Sequence, residues 1–355
     1  MVRVKLEDVC ERGTSNLKMS DVTDLSGNYP IYGAAGYIGN VDFYHQINPY
    51  VAIVKDGAGI GRAMLCPAQS SIIGTMQYLL PKKNILPRYL YYVVKYMHLE
   101  KYFTGATIPH IYFKDYKNET FNLEALERQK EIVTVLEKCE KVIEYRKREL
   151  NELDSLIKAR FVELFGDGNH PHIALIDLII EGAGLSYGIV QPGDDGTGDM
   201  GVLRPVDMVD GKISTASIKY IDRSIGDGFK KTELYGDELL ITVRGTTGIT
   251  ALTDIRFNGM NVTRGIAVVR YDRNKINPVY LNAYLNTDES QRYIQEHTRG
   301  ATLQQINLSD LRVQQIMVPP LALQEQMAAF IEQTDKSKSV VQKALDEAQL
   351  LFDSL

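Results

Sequence analysis

Residues 300–326 of the chain read GATLQQINLSDLRVQQIMVPPLALQEQ, and residues 105–129 read GATIPHIYFKDYKNETFNLEALERQ. The two stretches align without a gap at an offset of 195 positions, and each leads into a long helical pattern. Identical positions include the pairs Gly105 and Gly300, Ala106 and Ala301, Thr107 and Thr302, Ile111 and Ile306, Asp115 and Asp310, Gln129 and Gln324, and Lys141 and Lys336. Because self-similarity at a fixed offset is the signature of a duplicated structural unit, we expect two related halves in this chain.

The first copy leads into a segment, residues 110–165, that contains neither Gly nor Pro. Apolar residues recur there every seven positions, at Leu136, Ile143, Leu150, Ile157 and Leu164. The companion row is only partly apolar and consists of Ile132, Cys139, Arg146, Leu153 and Arg160. This heptad seam predicts a coiled-coil helix from about residue 123 to 165, on the order of 60 Å long at ~1.5 Å per residue.

A second helical pattern follows Pro319 and Pro320 and continues to residue 355 without another Gly or Pro. Its apolar seam is interrupted by Lys338 and consists of Met327, Ile331, Thr334, Val341, Leu345, Ala348, Phe352 and Leu355. One such helix alone would expose a long apolar stripe, so we predict that the two helices of the chain pack on each other. A zipper between two copies of the chain is the alternative.

The region ahead of each helix has mixed, strand-rich signals. Residues 48–65 (NPYVAIVKDGAGIGRAML) and 236–253 (GDELLITVRGTTGITALT) both predict a strand, a glycine turn and a second strand. Residues 83–94 (KNILPRYLYYVV) also match residues 274–285 (NKINPVYLNAYL). Residues 182–211 form a loop-rich insert in the second half that has no close counterpart in the first.

These patterns predict an α+β protein with two α/β domains, separated by an antiparallel pair of long coiled-coil helices, and a pseudo-twofold internal repeat. The predicted segments are a first α/β domain at 1–122, a central helix at 123–166, a second α/β domain at 167–318 and a C-terminal helix at 319–355.

Composition narrows the class of protein. The chain has 355 residues with 44% hydrophobic and 24% charged side chains, as is ordinary for a globular protein, and no apolar run long enough to span a membrane. Cys10, Cys66 and Cys139 lie far apart and form no CxxC pair, which favours a reducing, cytoplasmic location. The net charge of −5 means that nucleic-acid binding would depend on positive charge presented locally.

The whole pattern resembles a known family. G-A-T, then spaced apolar residues, then VPPLALQEQ and a long helix is similar to the specificity (S) subunit of type I restriction–modification systems. Residues 28–44 and 52–65 in the first half, and 202–213 and 236–249 in the second, resemble its target-recognition domains. One departure is the sequence Leu-Glu-Ala at 123–125, where the second copy has Val-Pro-Pro.

The resemblance implies a non-catalytic subunit in which each target-recognition domain reads one half of a split, asymmetric DNA sequence. It further implies that the two helices set the spacing of the half-sites and dock two modification (methyltransferase) subunits, to which restriction subunits can add. S-adenosylmethionine is expected in the methyltransferase partner, and this chain is expected to hold no cofactor.

Candidate DNA contacts are polar, aromatic and cationic side chains beside the shared glycine turns, because such groups can reach base edges in the major groove. They are Tyr32, Tyr37, Lys55 and Arg62 in the first half, and Tyr187, Gln191, Arg204, Arg244, Thr246 and Arg264 in the second. Candidates for partner docking lie at the helix starts and are Gln129, Gln324, Glu325 and Gln326. Helix capping or scaffold packing is the alternative interpretation of these four.

Motifs for other functions are weak. Residues 56–64 (DGAGIGRAM) fail the GxGxxG pattern and favour a β-turn, while INPY at 47–50 and NPVY at 277–280 each lack a proline of the amino-methyltransferase tetrapeptide. His170 and His172 have no acidic or cysteine partners at ligand spacing, so we expect no metal site in that linker. Two alternatives remain: a self-contained methyltransferase or nuclease, and a coiled-coil adaptor without a DNA role.

Overall fold

The chain is seen in a computed structural model that describes residues 2–23, 26–105, 108–191, 193, 198–209, 211–301 and 303–354. It divides into two compact units, the first formed by Met1–Tyr145 with Asp346–Leu355 and the second by Arg146–Leu345. Both long helices are divided between the units. The predicted segment boundaries after residues 122, 166 and 318 therefore stay a prediction.

The α-helices of the described residues are α1 (Leu6–Val9), α2 (Pro87–Tyr96), α3 (Phe113–Tyr116), α4 (Leu126–Phe165), α5 (Arg223–Gly226), α6 (Pro278–Leu285), α7 (Asp288–His297), α8 (Leu308–Val313) and α9 (Leu321–Ser354). The strands of the first unit are β1 (Val2–Lys5), β2 (Cys10–Thr14), β3 (Tyr29–Gly33), β4 (Gly36–Val41), β5 (Tyr50–Val54), β6 (Ala63–Cys66), β7 (Ser71–Ile72), β8 (Met76–Pro81) and β9 (Thr120–Leu123). Those of the second are β10 (His172–Ala174), β11 (Met200–Leu203), β12 (Met208–Val209), β13 (Lys212–Ile213), β14 (Lys219–Ile221), β15 (Leu239–Thr242), β16 (Thr250–Leu252), β17 (Asn261–Val262), β18 (Ile266–Val269) and β19 (Gln315–Met317).

The first unit is built on an antiparallel sheet in the order β2-β8-β5-β6. Every residue of β5 is buried, as expected for a strand that is covered on both faces. Since successive side chains point to opposite faces, Val51 and Ile53 pack with Leu90 of α2, and Ala52 and Val54 enter a separate cluster on the other face. A second sheet, β4-β3-β7, contains a parallel pair between β3 and β7.

The second unit repeats this plan with changes. Its central sheet is β16-β15-β18, and β15 is likewise buried throughout. Leu239 and Ile241 pack with Leu281 of α6, and Leu240 belongs to a different cluster on the opposite face. A second sheet, β14-β11-β17, again contains one parallel pair, between β11 and β17. The predicted strand, glycine turn and strand are thus confirmed in both halves.

The small differences between the units fall outside this shared plan. The first unit has β2 on the edge of its central sheet, where the second has a single bridge between Ile179 and Tyr271. Within the predicted insert at residues 182–211, the described residues include isolated bridges at Tyr187 and Ile189, the strand β11 and the strand β12, which pairs with β13. Residues 192, 194–197 and 210 of this insert lie outside the described residues. The matched helices α2 and α6 both have proline at the first helical position. Proline is suited to this position because a backbone N–H there would have no partner within the helix.

The two long helices contain 40 and 34 residues, and their predicted apolar seams are buried or half-buried along the described length. In the second unit they run antiparallel, since Lys338 Nζ pairs with Asp154 while Arg160 lies over the ring of Phe330, 5.7 Å from its centroid. The prediction that the helices pair within one chain is confirmed for these segments. Lys338 interrupts the seam because it forms a salt bridge across it; Leu355 lies outside the described residues.

A buried glutamine fixes the start of each long helix. In the first unit, Gln129 Oε1 accepts a hydrogen bond from the backbone N–H of Leu86 at 2.9 Å, and Nε2 donates to the carbonyls of Asn84 and Glu124 at 3.0 and 2.8 Å. Leu86 is the residue that precedes α2. The side chain is 0% exposed, so the amide joins the long helix to α2 inside the unit.

Gln324 makes the same set of contacts in the second unit. Its Oε1 accepts from the backbone N–H of Asn277 at 2.8 Å, and Nε2 donates to the carbonyls of Pro319 at 2.7 Å and Lys275 at 3.5 Å. It too is 0% exposed. The partner-docking prediction for Gln129 and Gln324 is corrected accordingly: both amides are enclosed, and scaffold packing is the role that this geometry supports.

Replacing Gln324 with alanine should destabilise the chain. The change leaves the backbone N–H of Asn277 and the carbonyl of Pro319 without this partner, and a buried polar group without a hydrogen bond costs about 1–3 kcal/mol. The measurement is the midpoint of thermal unfolding of the full chain. The control is Gln326→Ala, two residues away and exposed, which should shift the midpoint little. Equal midpoints for the two variants would contradict the proposed role of the buried amide.

Candidate DNA interface

In each unit two backbone hydrogen bonds join the residues on either side of the GAT stretch, and we call the segment between them the GAT loop. Thr104 and His110 exchange both N–H to carbonyl bonds at 2.8 Å, and Arg299 and Gln305 do the same at 2.8 Å. The offset between these pairs is that of the sequence repeat. The residues between them include Ala106, Thr107 and Thr302, which lie outside the described residues. The duplicated sequence therefore encodes a duplicated loop.

Glycine is needed at the first position of this loop. Gly105 and Gly300 have φ angles of +100° and +102°, which L side chains rarely adopt. A Cβ atom at these positions would also lie 2.4 Å from the carbonyl oxygen of Ile108 or 2.3 Å from that of Leu303. The same glycine thus permits the same close approach of the backbone in both units.

The GAT loop is joined to the turn of the central sheet in both units. In the first, the backbone N–H of Gly57 donates to the carbonyl of Pro109 at 3.0 Å, within the turn between β5 and β6. In the second, Gly245 donates to Gln304 at 2.9 Å, within the turn between β15 and β16. Each unit therefore presents two adjacent loops at one end of its central sheet, where side chains of both can contact the same ligand.

Three of the candidate residues come together in the first unit. The rings of Tyr32 and Tyr37 meet edge to face with centroids 6.0 Å apart, and Arg62 Nη1 donates to the carbonyl of Ala34 at 3.3 Å in the turn between them. Tyr37 is 61% exposed. Tyr32 is half-buried, and this burial raises its pKa, so of the two rings only that of Tyr37 is mostly exposed to solvent. The fourth candidate, Lys55, faces Asp56, with Nζ 3.4 Å from Oδ2.

In the second unit the loop that holds Tyr187 and Gln191 lies beside Arg264. Ile189 donates its N–H to Val262 at 2.8 Å, and Arg264 donates its N–H back to Ile189 at 2.9 Å. Tyr187 is 39% exposed, and Gln191 and Arg264 are exposed. These candidates can therefore face one ligand together.

Two further segments, which contain Pro205 and Arg244, lie close to Gly265, the residue that follows Arg264. A Cβ atom there would lie 2.6 Å from Pro205 Cγ and 3.7 Å from the Cβ of Arg244. Arg244 and Thr246 belong to the turn between β15 and β16, and Thr246 is exposed. The loops around Tyr187 and Arg264 and the turn between β15 and β16 form the loop cluster of the second unit. Arg244 lies in this cluster, and its buried Nε has no acceptor among the described residues.

Arg204 differs from the prediction, because its guanidinium is engaged inside the chain. Nε and Nη2 donate to the two carboxylate oxygens of Asp207 at 3.1 and 3.0 Å, and Nη2 also donates to the carbonyl of Ser217. Asp207 is fully buried and therefore needs this cation. We correct the assignment of Arg204 from a DNA contact to a residue that holds the adjacent turn.

His110 and Asp56 form a further pair beside these loops that was not predicted from the sequence. The Nδ1 atom of His110 lies 2.7 Å from Asp56 Oδ1, and Tyr112 stacks on the imidazole with ring centroids 6.4 Å apart. The available signal was the repeat itself, which aligns His110 with Gln305 beside the turn of Arg244. His110 therefore lies beside the turn between β5 and β6 of the first unit, and Gln305 lies in the loop cluster of the second.

The side chains of His170, Cys10 and Cys66 pack within the fold. His170 packs edge-on against Phe165, whereas His172 is exposed and begins β10. Cys10 and Cys66 are buried free thiols, and burial raises the pKa of each to about 12.

Within the described ranges no group of three or more His, Cys, Asp or Glu side chains is arranged to hold a metal ion. No helix in that part of the chain is long and apolar enough to cross a membrane.

A family model described as the type I restriction modification DNA specificity domain matches residues 1–155 and 199–349, which is most of the chain. The chain belongs to this family. The match falls in two segments, and each of them includes one GAT loop and the start of the long helix that follows. The duplication seen in the structure is therefore a duplication of the family's domain.

Individual relatives are distant in sequence. The type I restriction enzyme EcoBI specificity subunit of Escherichia coli is 24% identical over 171 residues, which cover 48% of this chain and 36% of that relative. The S subunit of a type I restriction–modification system from M. genitalium shares the fold, with a TM-score of 0.64 at 14% identity, covering 99% of this chain and 94% of that one. A chain from a structure of type I R-M complex assembly and conformational transition has a TM-score of 0.56 at 15% identity, covering 99% of this chain and 95% of that one.

Replacing Gly300 with alanine should strain the GAT loop of the second unit. The positive φ and the close carbonyl of Leu303 both oppose a Cβ, and such strain costs on the order of 1–3 kcal/mol. Hydrogen exchange of the Arg299 and Gln305 amides, whose mutual bonds close the loop, should accelerate by about tenfold or more. Gly228→Ala is the control, because a Cβ there meets open space at an ordinary φ. Unchanged exchange in Gly300→Ala would show that the loop does not depend on this glycine.

Proposed function

We propose that the chain is the DNA-recognition subunit of a type I restriction–modification enzyme. Each unit reads one half of a bipartite sequence in double-stranded DNA, and the chain itself catalyses no reaction. Methyl transfer takes place in two methyltransferase subunits that bind this chain and hold S-adenosylmethionine, and restriction subunits can join them. The complex acts on DNA in the cytoplasm.

The observation that carries this proposal is the contrast within the repeat. The GAT loop, its glycine and its hydrogen bonds to the central sheet are alike in the two units, while the side chains beside it differ. A scaffold that repeats with different readers suits a target whose two halves have different sequences. The family match in two segments, one around each loop, supports the same division of labour.

The chemistry of the loops suits DNA. Arginine can donate two hydrogen bonds to guanine, and glutamine can pair in the same way with adenine in the major groove. Arg62, Arg244, Arg264 and Gln191 supply such groups near the glycine turns. The net charge of −5 requires that these cations act locally, with the methyltransferase partners supplying further contacts to phosphate.

The start of α9 offers one surface for a partner. Glu325 and Gln326 are exposed there, next to the enclosed Gln324, so they keep their place in the docking proposal. The structure from M. genitalium and the chain from a type I R-M assembly share this fold, which supports a subunit that works in a complex.

The direct test is a map of methylated bases in the host genome, made with and without this gene. The expected result is one split motif, two short half-sites around a fixed gap, that loses its methyl groups when the gene is deleted. Complementation with the wild-type gene should restore the motif. An expressed, assembled complex whose deletion leaves the map unchanged would contradict the proposed function.

Single arginine replacements should weaken DNA binding. Arg62→Ala in the first unit and Arg264→Ala in the second each remove one exposed cation, and we expect a loss of about 1–3 kcal/mol in binding to duplex DNA that contains the motif. The measurement is a titration of the complete complex at two salt concentrations, because contacts to phosphate lose affinity as salt rises. Arg292→Ala is the control, since Arg292 is an exposed cation of α7 that belongs neither to the GAT loop nor to the turn between β15 and β16. Equal losses in all three variants would argue against the loops as the DNA surface.

The two long helices should set the gap between the half-sites. Inserting seven residues into α4 and seven at the antiparallel level of α9 keeps both apolar seams in register, because the seam repeats every ~3.5 residues. The expected methylation motif has the same two half-sites with a longer gap. A motif with its original gap would show that the helices do not determine the spacing.

A further inference from the structure

The hydrogen bonds of the two units define which positions correspond. The N–H of Ile111 donates to the carbonyl of Lys55 at 2.9 Å, and the N–H of Ile306 donates to that of Val243 at 3.1 Å. The residues that follow these acceptors, Asp56 and Arg244, therefore occupy one position in the two units. Asp56 forms a backbone bridge with His110, and Arg244 forms the equivalent bridge with Gln305.

The side chains at this shared position have opposite chemistry. In the first unit Asp56 lies 2.7 Å from His110 Nδ1 and 3.4 Å from Lys55 Nζ. A carboxylate only accepts, so the Nδ1–H of the imidazole donates to it, and Nε2 is left as the ring's second hydrogen-bonding atom. In the second unit the bridge partners are Arg244, a cation, and Gln305, an amide whose Nε2 donates to Asn307 Oδ1 over a long 3.4 Å.

The fold does not account for this difference. Both units make the same backbone bridges at these positions, and backbone bonds can be made by any of the four residues. A contact to phosphate would favour a cation in both units, whereas Asp56 would repel phosphate. A carboxylate–imidazole pair in one unit and a guanidinium–amide pair in the other suit ligands that differ between the two halves.

We propose that these two pairs are specificity-determining positions for the two half-sites. Arg244 reads a guanine and Gln305 reads an adenine in the half-site of the second unit, through the two-bond contacts that these side chains form in the major groove. In the first unit His110 reads the exocyclic amino group of adenine or cytosine by accepting at Nε2. Asp56 is its positioning residue, since it holds the ring through Nδ1. The inference rests on the proposed function, and it adds the residues and the chemical class of base that each one recognises.

The experiment is a genome-wide methylation map of the host, with each variant gene replacing the natural one at its own locus. Arg244→Ala or Gln305→Ala should relax one base position in one half-site, and His110→Ala should relax one position in the other. We expect discrimination at that position to fall about 10-fold to 100-fold. Asp56→Ala should behave like His110→Ala, whereas Asp56→Asn, which still accepts a hydrogen bond, should retain the wild-type motif. Arg292→Ala is the matched control and should leave both half-sites unchanged.

The unaltered half-site serves as an internal control for folding, because a chain that reads it correctly is folded and assembled. Methylation that weakens at all sites with neither half-site relaxed would overturn the inference, as would a motif unchanged in Arg244→Ala, Gln305→Ala and His110→Ala. If the wild-type strain has no split motif that depends on this gene, the proposed function fails first, and the inference fails with it. That outcome is visible before any variant is tested.

Discussion

The buried amide of a glutamine at the start of each long helix is the constraint on which each unit depends. An amide in an apolar interior is costly unless its donor and acceptor are both used, and Gln129 and Gln324 use both with backbone groups of their own unit. Because Leu86 and Asn277 directly precede α2 and α6, while Glu124 and Pro319 precede the long helices, the amide fixes where each long helix begins relative to the central sheet. Gly105 and Gly300 lie 24 residues before these glutamines, and the GAT loop is itself bonded to the sheet, so both ends of the repeated segment are held.

This arrangement separates what must stay constant from what can vary. The backbone bonds between the GAT loop and the sheet turn are the same in the two units, and they place no demand on the side chains at the positions of Asp56 and Arg244. Duplication therefore preserves the frame, and each copy is able to change the groups that it presents. The proposed function requires this combination, since a common frame would set the position of the two recognition loops and their side chains would set the sequence that each one reads.

The sequence predicted the repeat, both long helices and the paired strands because each leaves a periodic or local signal. A heptad of apolar residues and a glycine turn can be recognised without knowledge of distant contacts. Partners distant in sequence leave no such signal, so the burial of Gln129, the salt bridge from Lys338 to Asp154 and the carboxylate behind Arg204 were not predicted. The candidate site was located through its glycine turns, and the position of His110 was implied by the repeat but went unrecognised.

Arginine content alone does not identify a DNA reader in this chain. The guanidinium of Arg204 is bound to a buried carboxylate, and Arg270 bonds to the carbonyls of Lys231 and Glu233, so neither presents all its donors to a ligand. The Nε atoms of Arg244 and Arg270 are both buried with no acceptor among the described residues, but the other nitrogens of Arg270 are bonded to carbonyls. A desolvated donor without a partner lowers the stability of the free protein, and a ligand that supplies the acceptor removes that cost. Under the proposed function, part of the affinity for DNA would come from a hydrogen bond that Arg244 forms only when its target is bound.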